Sequence, residues 1–226
     1  MNNKVICDTC EYRNHCNKNF CIREYKLNYY FDKANISVDK RKKISLRIDQ
    51  DGRDEKAFTR LASIEKDIKT FVENGNNLYI YSENVGNGKT SWAYRLACSY
   101  IQKVRFKKPM RTIVLFISVP RFLLELKSNI SNRSDYISRL FDERIIYNAD
   151  LVIWDDIGSK AGTEYEVSHL LSIIDDRINN GKSNIYTSNL NEEELHQLLG
   201  DRLYSRIYHA SEVIHIVGKD KRGISL

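Results

Sequence analysis

Within YSENVGNGKTSW (Tyr81–Trp92), two glycines, a lysine and a hydroxyl follow one another in the order a triphosphate needs. Gly86 and Gly88 let main-chain amides approach phosphate oxygens, and a helix starting at Lys89 would aim its positive end at them. Lys89 is placed to reach the β- and γ-phosphates, and the Thr90 hydroxyl to ligate Mg2+. Val85, Gly86, Asn87, Gly88, Lys89, Thr90 and Ser91 are therefore the candidate nucleotide-binding residues. One position departs from the usual spacing. The entry glycine, separated from Gly88 by four residues, is replaced by Glu83. An ordinary backbone and a carboxylate turned to solvent at 83 would leave the loop usable.

A second set follows in LVIWDDIG (Leu151–Gly158), where four apolar residues end in two acids. A nucleotide hydrolase needs one carboxylate near Mg2+ and one that polarises the attacking water, and Asp155 and Asp156 suit these tasks in that order. In IYTSNL (Ile185–Leu190), Asn189 stands at the carboxyl end of a strand, where sheets of this class place ligand contacts. It either orients the water with Asp156 or caps the next helix. In DRLYSRI (Asp201–Ile207), an arginine offered to a neighbouring subunit could steady the transferring charge, with Arg206 the first choice and Arg202 the reserve.

Four of the five cysteines, Cys7, Cys10, Cys16 and Cys21, fall in the spacing C-x2-C-x5-C-x4-C. In a reducing compartment such a cluster indicates a metal rather than disulfides. Four thiolates would close a structural zinc site; an iron–sulfur cluster uses the same ligands, and His15 could replace one sulfur. A module of residues 1–35 has little apolar core, so the ion would supply much of its folding energy. Cys98 reads as a small core residue.

The elements that must carry these groups alternate. A helical pattern runs through Phe58, Leu61, Ile64, Ile68, Phe71 and Val72 and stops at Asn74-Gly75. Strands are expected at Asn77–Tyr81, Thr112–Ile117, Leu151–Trp154, Asn184–Thr187 and Val213–Val217. Helices are expected at Lys89–Lys103, Pro120–Lys127, Asp135–Tyr147, Glu164–Asn180, Asn191–Leu199 and Arg202–Tyr208. This alternation predicts an α/β fold, a parallel five-stranded αβα sandwich. Three units are expected: the cysteine module 1–35, a basic linker 36–54, and an ATPase domain 55–226 that binds ATP without residues 1–50.

The 226 residues are 42% hydrophobic and 29% charged, ordinary for a globular protein, with no apolar run of the ~18 residues a membrane span needs. Neither a signal core nor a span is read, which predicts a cytoplasmic protein. Of the net charge of +6, residues 1–60 carry 14 Lys/Arg against 9 Asp/Glu. Lys40–Lys43 is either a solvated tether or a contact to nucleic acid, along with Arg105, Lys107, Lys108 and Arg133.

Together these stretches resemble the helicase-loader branch of the AAA+ ATPases, the DnaC and DnaI type, and the related IstB transposition helpers. NVGNGKTSWA resembles that family's Walker A, LVIWDDIG its Walker B, FISVPRFLLELK the segment between them, TSNL its sensor-1 stretch and LYSRI its arginine-finger segment. The closing VGKDKRG resembles the family's terminal motif, which implies that Arg222 contacts nucleotide. The resemblance implies an AAA+ fold without the usual helical lid, ATP and Mg2+ as ligands, self-association through the ATPase domain, and weak hydrolysis by the isolated chain. Implied partners are a hexameric replicative DNA helicase, gripped by the cysteine module, and single-stranded DNA. A transposition helper, or an adaptor that holds ATP without hydrolysing it, are the alternatives.

Overall fold

The computed structural model describes residues 10, 13–16, 21–41, 46, 52–128, 143–160 and 162–221. Its centre is a sheet of five parallel strands: β1 (Asn77–Tyr81), β2 (Val114–Ser118), β3 (Leu151–Asp155), β4 (Ser183–Ser188) and β5 (Ser211–His215). They lie in the order β2-β3-β4-β1-β5. The expected parallel five-stranded sandwich is the one observed.

Successive residues of each strand point to opposite faces, and both faces are apolar, as a sheet covered on both sides requires. Leu78, Ile80, Leu151, Ile153 and Ile185 pack into one core, beneath α1 (Ile22–Lys33), α2 (Glu55–Lys66), α3 (Ile68–Glu73) and α4 (Lys89–Val104). Tyr79, Val152, Trp154 and Tyr186 pack into the other, beneath α5 (Val119–Ser128), α6 (Glu143–Asn148), α7 (Glu164–Asn179) and α8 (Glu192–Tyr204). Fully buried Arg177 of α7 stitches the foot of the second layer, donating to Asn184 Oδ1 and to the carbonyls of Ile146, Ala149 and Ser183.

The single helix expected over 58–72 is broken at Asp67, whose φ of −111° and ψ of 22° part α2 from α3. The two helices expected over 191–208 are one element kinked at Gly200 and running on into a π-helical turn, Ser205–His209. Of the helix expected over Asp135–Tyr147, residues 135–142 lie outside the described residues and the remainder is α6.

The expected boundary between module and ATPase meets a different packing. Tyr30, Phe31, Ala34 and Ile36 are all buried in the first core, against α4 and β2. The Tyr30 hydroxyl donates to Lys108 O at 2.9 Å, and Phe116 N donates to Ala34 O at 2.9 Å. Burying a side chain the size of Phe31 or Ile36 contributes roughly 1.5–3 kcal/mol, so this helix belongs to the body built on the sheet. The separate module therefore cannot extend to residue 35, nor is 36–54 wholly a solvated tether, since Leu46 packs on the same core and Asp54 is buried.

Candidate nucleotide-binding site

β1 ends at Tyr81, the chain turns through residues 82–88, and α4 begins at Lys89. Gly86 (φ 75°) and Gly88 (φ 108°) occupy the left-handed region, which a side chain would strain. Among the described non-glycine residues only Asn35 and Asp156 have positive φ, so Glu83 sits where no glycine is required. Its carboxylate is not simply turned to solvent: Glu83 Oε2 lies 2.8 Å from His215 Nε2 on β5.

The loop wraps around the Lys89 ammonium, which donates to Ser82 O at 3.1 Å, Asn84 O at 2.8 Å and Asn87 Oδ1 at 3.4 Å. A largely buried ammonium ringed by neutral oxygens is suited to anionic oxygens in the same place.

β3 delivers Asp155 beside the first turn of α4. Asp155 Oδ1 accepts from Thr90 Oγ1 at 2.9 Å and from Thr187 Oγ1 at 2.7 Å. Burial pushes the Asp155 carboxyl above its ordinary range; the two threonine hydroxyls oppose that shift and the Asp156 charge adds to it. Thr90 and Asp155 are hard oxygen donors, the set that fits Mg2+. Asp156 has φ 65°, a strained conformation for a non-glycine residue, and it is held there by a bond from its N–H to Thr187 Oγ1 at 2.9 Å. Asn189 Nδ2 donates to Asp156 Oδ1 at 3.2 Å. The cap of α8 is Asn191 in a capping box with Glu194, which leaves Asn189 to Asp156. Beside Asp155 a cavity of about 200 Å³ opens between α4 and α5, bordered by Tyr94, Ser118, Arg121 and Glu125.

Thr187 joins both acids and is not among the residues the sequence singles out; its only signal is a hydroxyl near the carboxyl end of SNIYTS, a strand polar at both ends. Lys89, Thr90, Asp155, Asp156 and Asn189 are brought together. Arg206 is not part of that group: it lies on the π-helical turn, its Nε 2.6 Å from Asp175 Oδ1 of α7, and Arg202 is exposed on α8. Arg222, Cys7 and Arg133 lie outside the described residues. Cys10, Cys16 and Cys21 are half-buried and form no disulfide, and Cys16 Sγ accepts from Ile22 N at 3.3 Å. Among the described residues no three metal-ligating side chains gather.

A parallel sheet of this strand order, with a phosphate loop after β1 and an acidic pair after β3, defines a P-loop NTPase of the AAA+ type. The chain belongs to the family of IstB-like ATP binding proteins, which it matches over residues 27–223. It is similar to the replicative helicase loader DnaC of Escherichia coli (strain K12), 27% identical over 129 residues, 57% of this chain and 49% of that protein. To the DnaC of Buchnera aphidicola subsp. Schizaphis graminum it is 24% identical over 189 residues, 82% of this chain and 65% of that one. The chain thus spans about half to two thirds of the length of these relatives. Crystal structures of the DnaC helicase loader (TM-score 0.60, 20% identity, 80% of this chain and 99% of that chain) and of DnaI (0.59, 19%, 82% and 93%) share its fold. So does AMPPCP-bound DnaA from Aquifex aeolicus (0.55, 18%, 73% and 46%).

Proposed function

We propose that this chain is an ATP-dependent loader that places a replicative DNA helicase on single-stranded DNA, with hydrolysis resetting the loader. The carrying observation is the joined set Thr90–Asp155–Thr187–Asp156–Asn189 in a chain of the IstB-like family similar to DnaC. In this reading the loop amides and Lys89 bind the phosphates, and Thr90 and Asp155 hold Mg2+. The metal supplies positive charge to the phosphate oxygens. Asp156, oriented by Asn189 and by Thr187 through its N–H, accepts the proton of the attacking water. Arg206 acts on the γ-phosphate of a neighbouring copy, so turnover needs self-association. Cys7, Cys10, Cys16 and Cys21 hold zinc or an iron–sulfur cluster in the segment that grips the helicase. Basic groups at Arg105, Lys107 and Lys108 meet single-stranded DNA.

The test is capture of a purified bacterial hexameric replicative helicase in Mg-ATP, followed by helicase transfer to a single-stranded circle. No capture in any nucleotide state would sink the loader reading. The family match favours a second reading, a transposition helper, for which a transposase rather than a helicase would be captured.

A further inference from the structure

After β5 the chain leaves the sheet and runs back along the phosphate loop. Ile216 N still donates to Tyr81 O at 2.9 Å, but Ile216 O accepts from Asn87 Nδ2 at 3.0 Å. Asn84 Nδ2 donates to the carbonyls of Val217 and Gly218 at 3.3 and 3.4 Å, and Lys221 N donates to Gly86 O at 3.0 Å. Residues 216–221 thus grip the loop at Asn84, Gly86 and Asn87.

What grips residues 216–221 in turn is Asp54. Its side chain is 0% exposed and stands at the start of α2 without capping it. Instead Oδ1 accepts from Val217 N at 2.9 Å and from Gly218 N at 2.8 Å, while Oδ2 accepts from Lys221 Nζ at 3.0 Å. The Lys221 ammonium also lies 4.6 Å from the centre of the Phe58 ring.

We propose that Asp54 is a positioning residue for the phosphate loop, acting through residues 216–221. A loop with left-handed glycines at 86 and 88 has much conformational freedom to lose on binding phosphate. A dry carboxylate taking three bonds, one from a cation, is a rigid anchor, and it fixes the strap that fixes the loop main chain. The inference rests on reading this loop as the ATP site. It adds a residue about thirty positions upstream that no motif marks.

The experiment compares Asp54→Asn, Lys221→Met and Lys221→Arg by titration with a fluorescent ATP analogue, by thermal melting without nucleotide, and by hydrogen exchange of the nucleotide-free protein. Losing the charged bond is expected to weaken ATP binding about tenfold in Asp54→Asn and Lys221→Met, with Lys221→Arg retaining it. Amides of residues 82–90 should exchange faster while those of β3 do not change. Should Asp54→Asn fail to fold, Lys221→Met carries the test. Unchanged exchange over 82–90, or an equal rise over β3, would overturn the inference and leave Asp54 a general staple. Wild-type protein that binds no ATP, or binds it equally well as Lys89→Ala, would instead refute the ATP reading, and the exchange measurement would still decide the positioning role.

Discussion

His215 Nε2 lies 2.8 Å from Glu83 Oε2, and the same imidazole stacks on Tyr81 with 4.3 Å between centroids and 7° between planes. The residue that departs from the phosphate-loop pattern is thereby tied to β5. Its own backbone N–H, then His215, holds the Glu83 carboxyl below its ordinary 4.5.

A lowered carboxyl pKa stabilises the fold above the unfolded value, and that stabilisation is lost as pH falls through the lower folded value. Glu83→Gln is expected to cost less than about 1 kcal/mol at neutral pH and to shift ATP affinity less than about fivefold, since the pair is exposed. Melting curves of the two proteins should converge as pH drops below 4.5. A large affinity loss would show that the entry carboxylate itself touches nucleotide.

Asp155 carries the opposite sign. Its carboxyl is raised by burial, so the charged form costs stability at neutral pH, and that cost fades as pH falls through the raised value. Asp155→Asn keeps an oxygen for Thr90 and Thr187 but removes the charge. The variant should melt about 2–4 °C higher, on the order of 1 kcal/mol, while Mg2+ no longer strengthens ATP binding. Calorimetry with and without Mg2+ decides it; a lower melting temperature would contradict the burial argument.

Arg206 is held by Asp175 in an ion pair at 2.6 Å that is not aligned as a hydrogen bond, and the Arg206 side chain is 45% exposed. Such a tether is weak and leaves the guanidinium available to a neighbour. Arg206→Ala should retain ATP binding and lose about 10³-fold in turnover, while Asp175→Asn retains turnover. Mixing Arg206→Ala with Lys89→Ala should restore part of the activity at composite sites. Full turnover in strictly monomeric protein would rule out the in-trans role.

Arg177 is structural. Its guanidinium is fully buried, donating to Asn184 and to three carbonyls, and Arg177→Ala would remove all four bonds, leaving Asn184 Oδ1 with only the bond from Trp154 Nε1. The expected loss is about 3–5 kcal/mol in urea unfolding. A loss below about 1 kcal/mol would mean that water replaces the guanidinium there.

The loop, the acidic pair and Asn189 were legible because each is a short local pattern attached to an apolar strand. Asp54 was not. It lies in the run DQDGRDEK, which reads as solvated, and its partner Lys221 is 167 residues away. α1 hid for a related reason: IREYKLNYYFDK scatters charges around the helix, and only packing against α4 shows that Tyr30 and Phe31 face inward. The last strand was placed two residues late because Ile216 and Val217 are apolar, yet they serve the phosphate loop rather than the sheet.

The bond from Phe116 N to Ala34 O has a consequence for handling the protein in solution. β2 is an outermost strand, and the carbonyl that follows α1 plugs a donor that another chain would otherwise pair with. Cutting the protein at residue 50 would unplug that donor and bare the apolar trough filled by Tyr30, Phe31 and Ile36, giving a sticky particle rather than a free-standing domain. A cut after residue 20 would keep the seal. Because Cys21 abuts the first residue of α1 with no linker between, any group bound at this cysteine is attached to the helix whose Tyr30 and Phe31 pack into the first core.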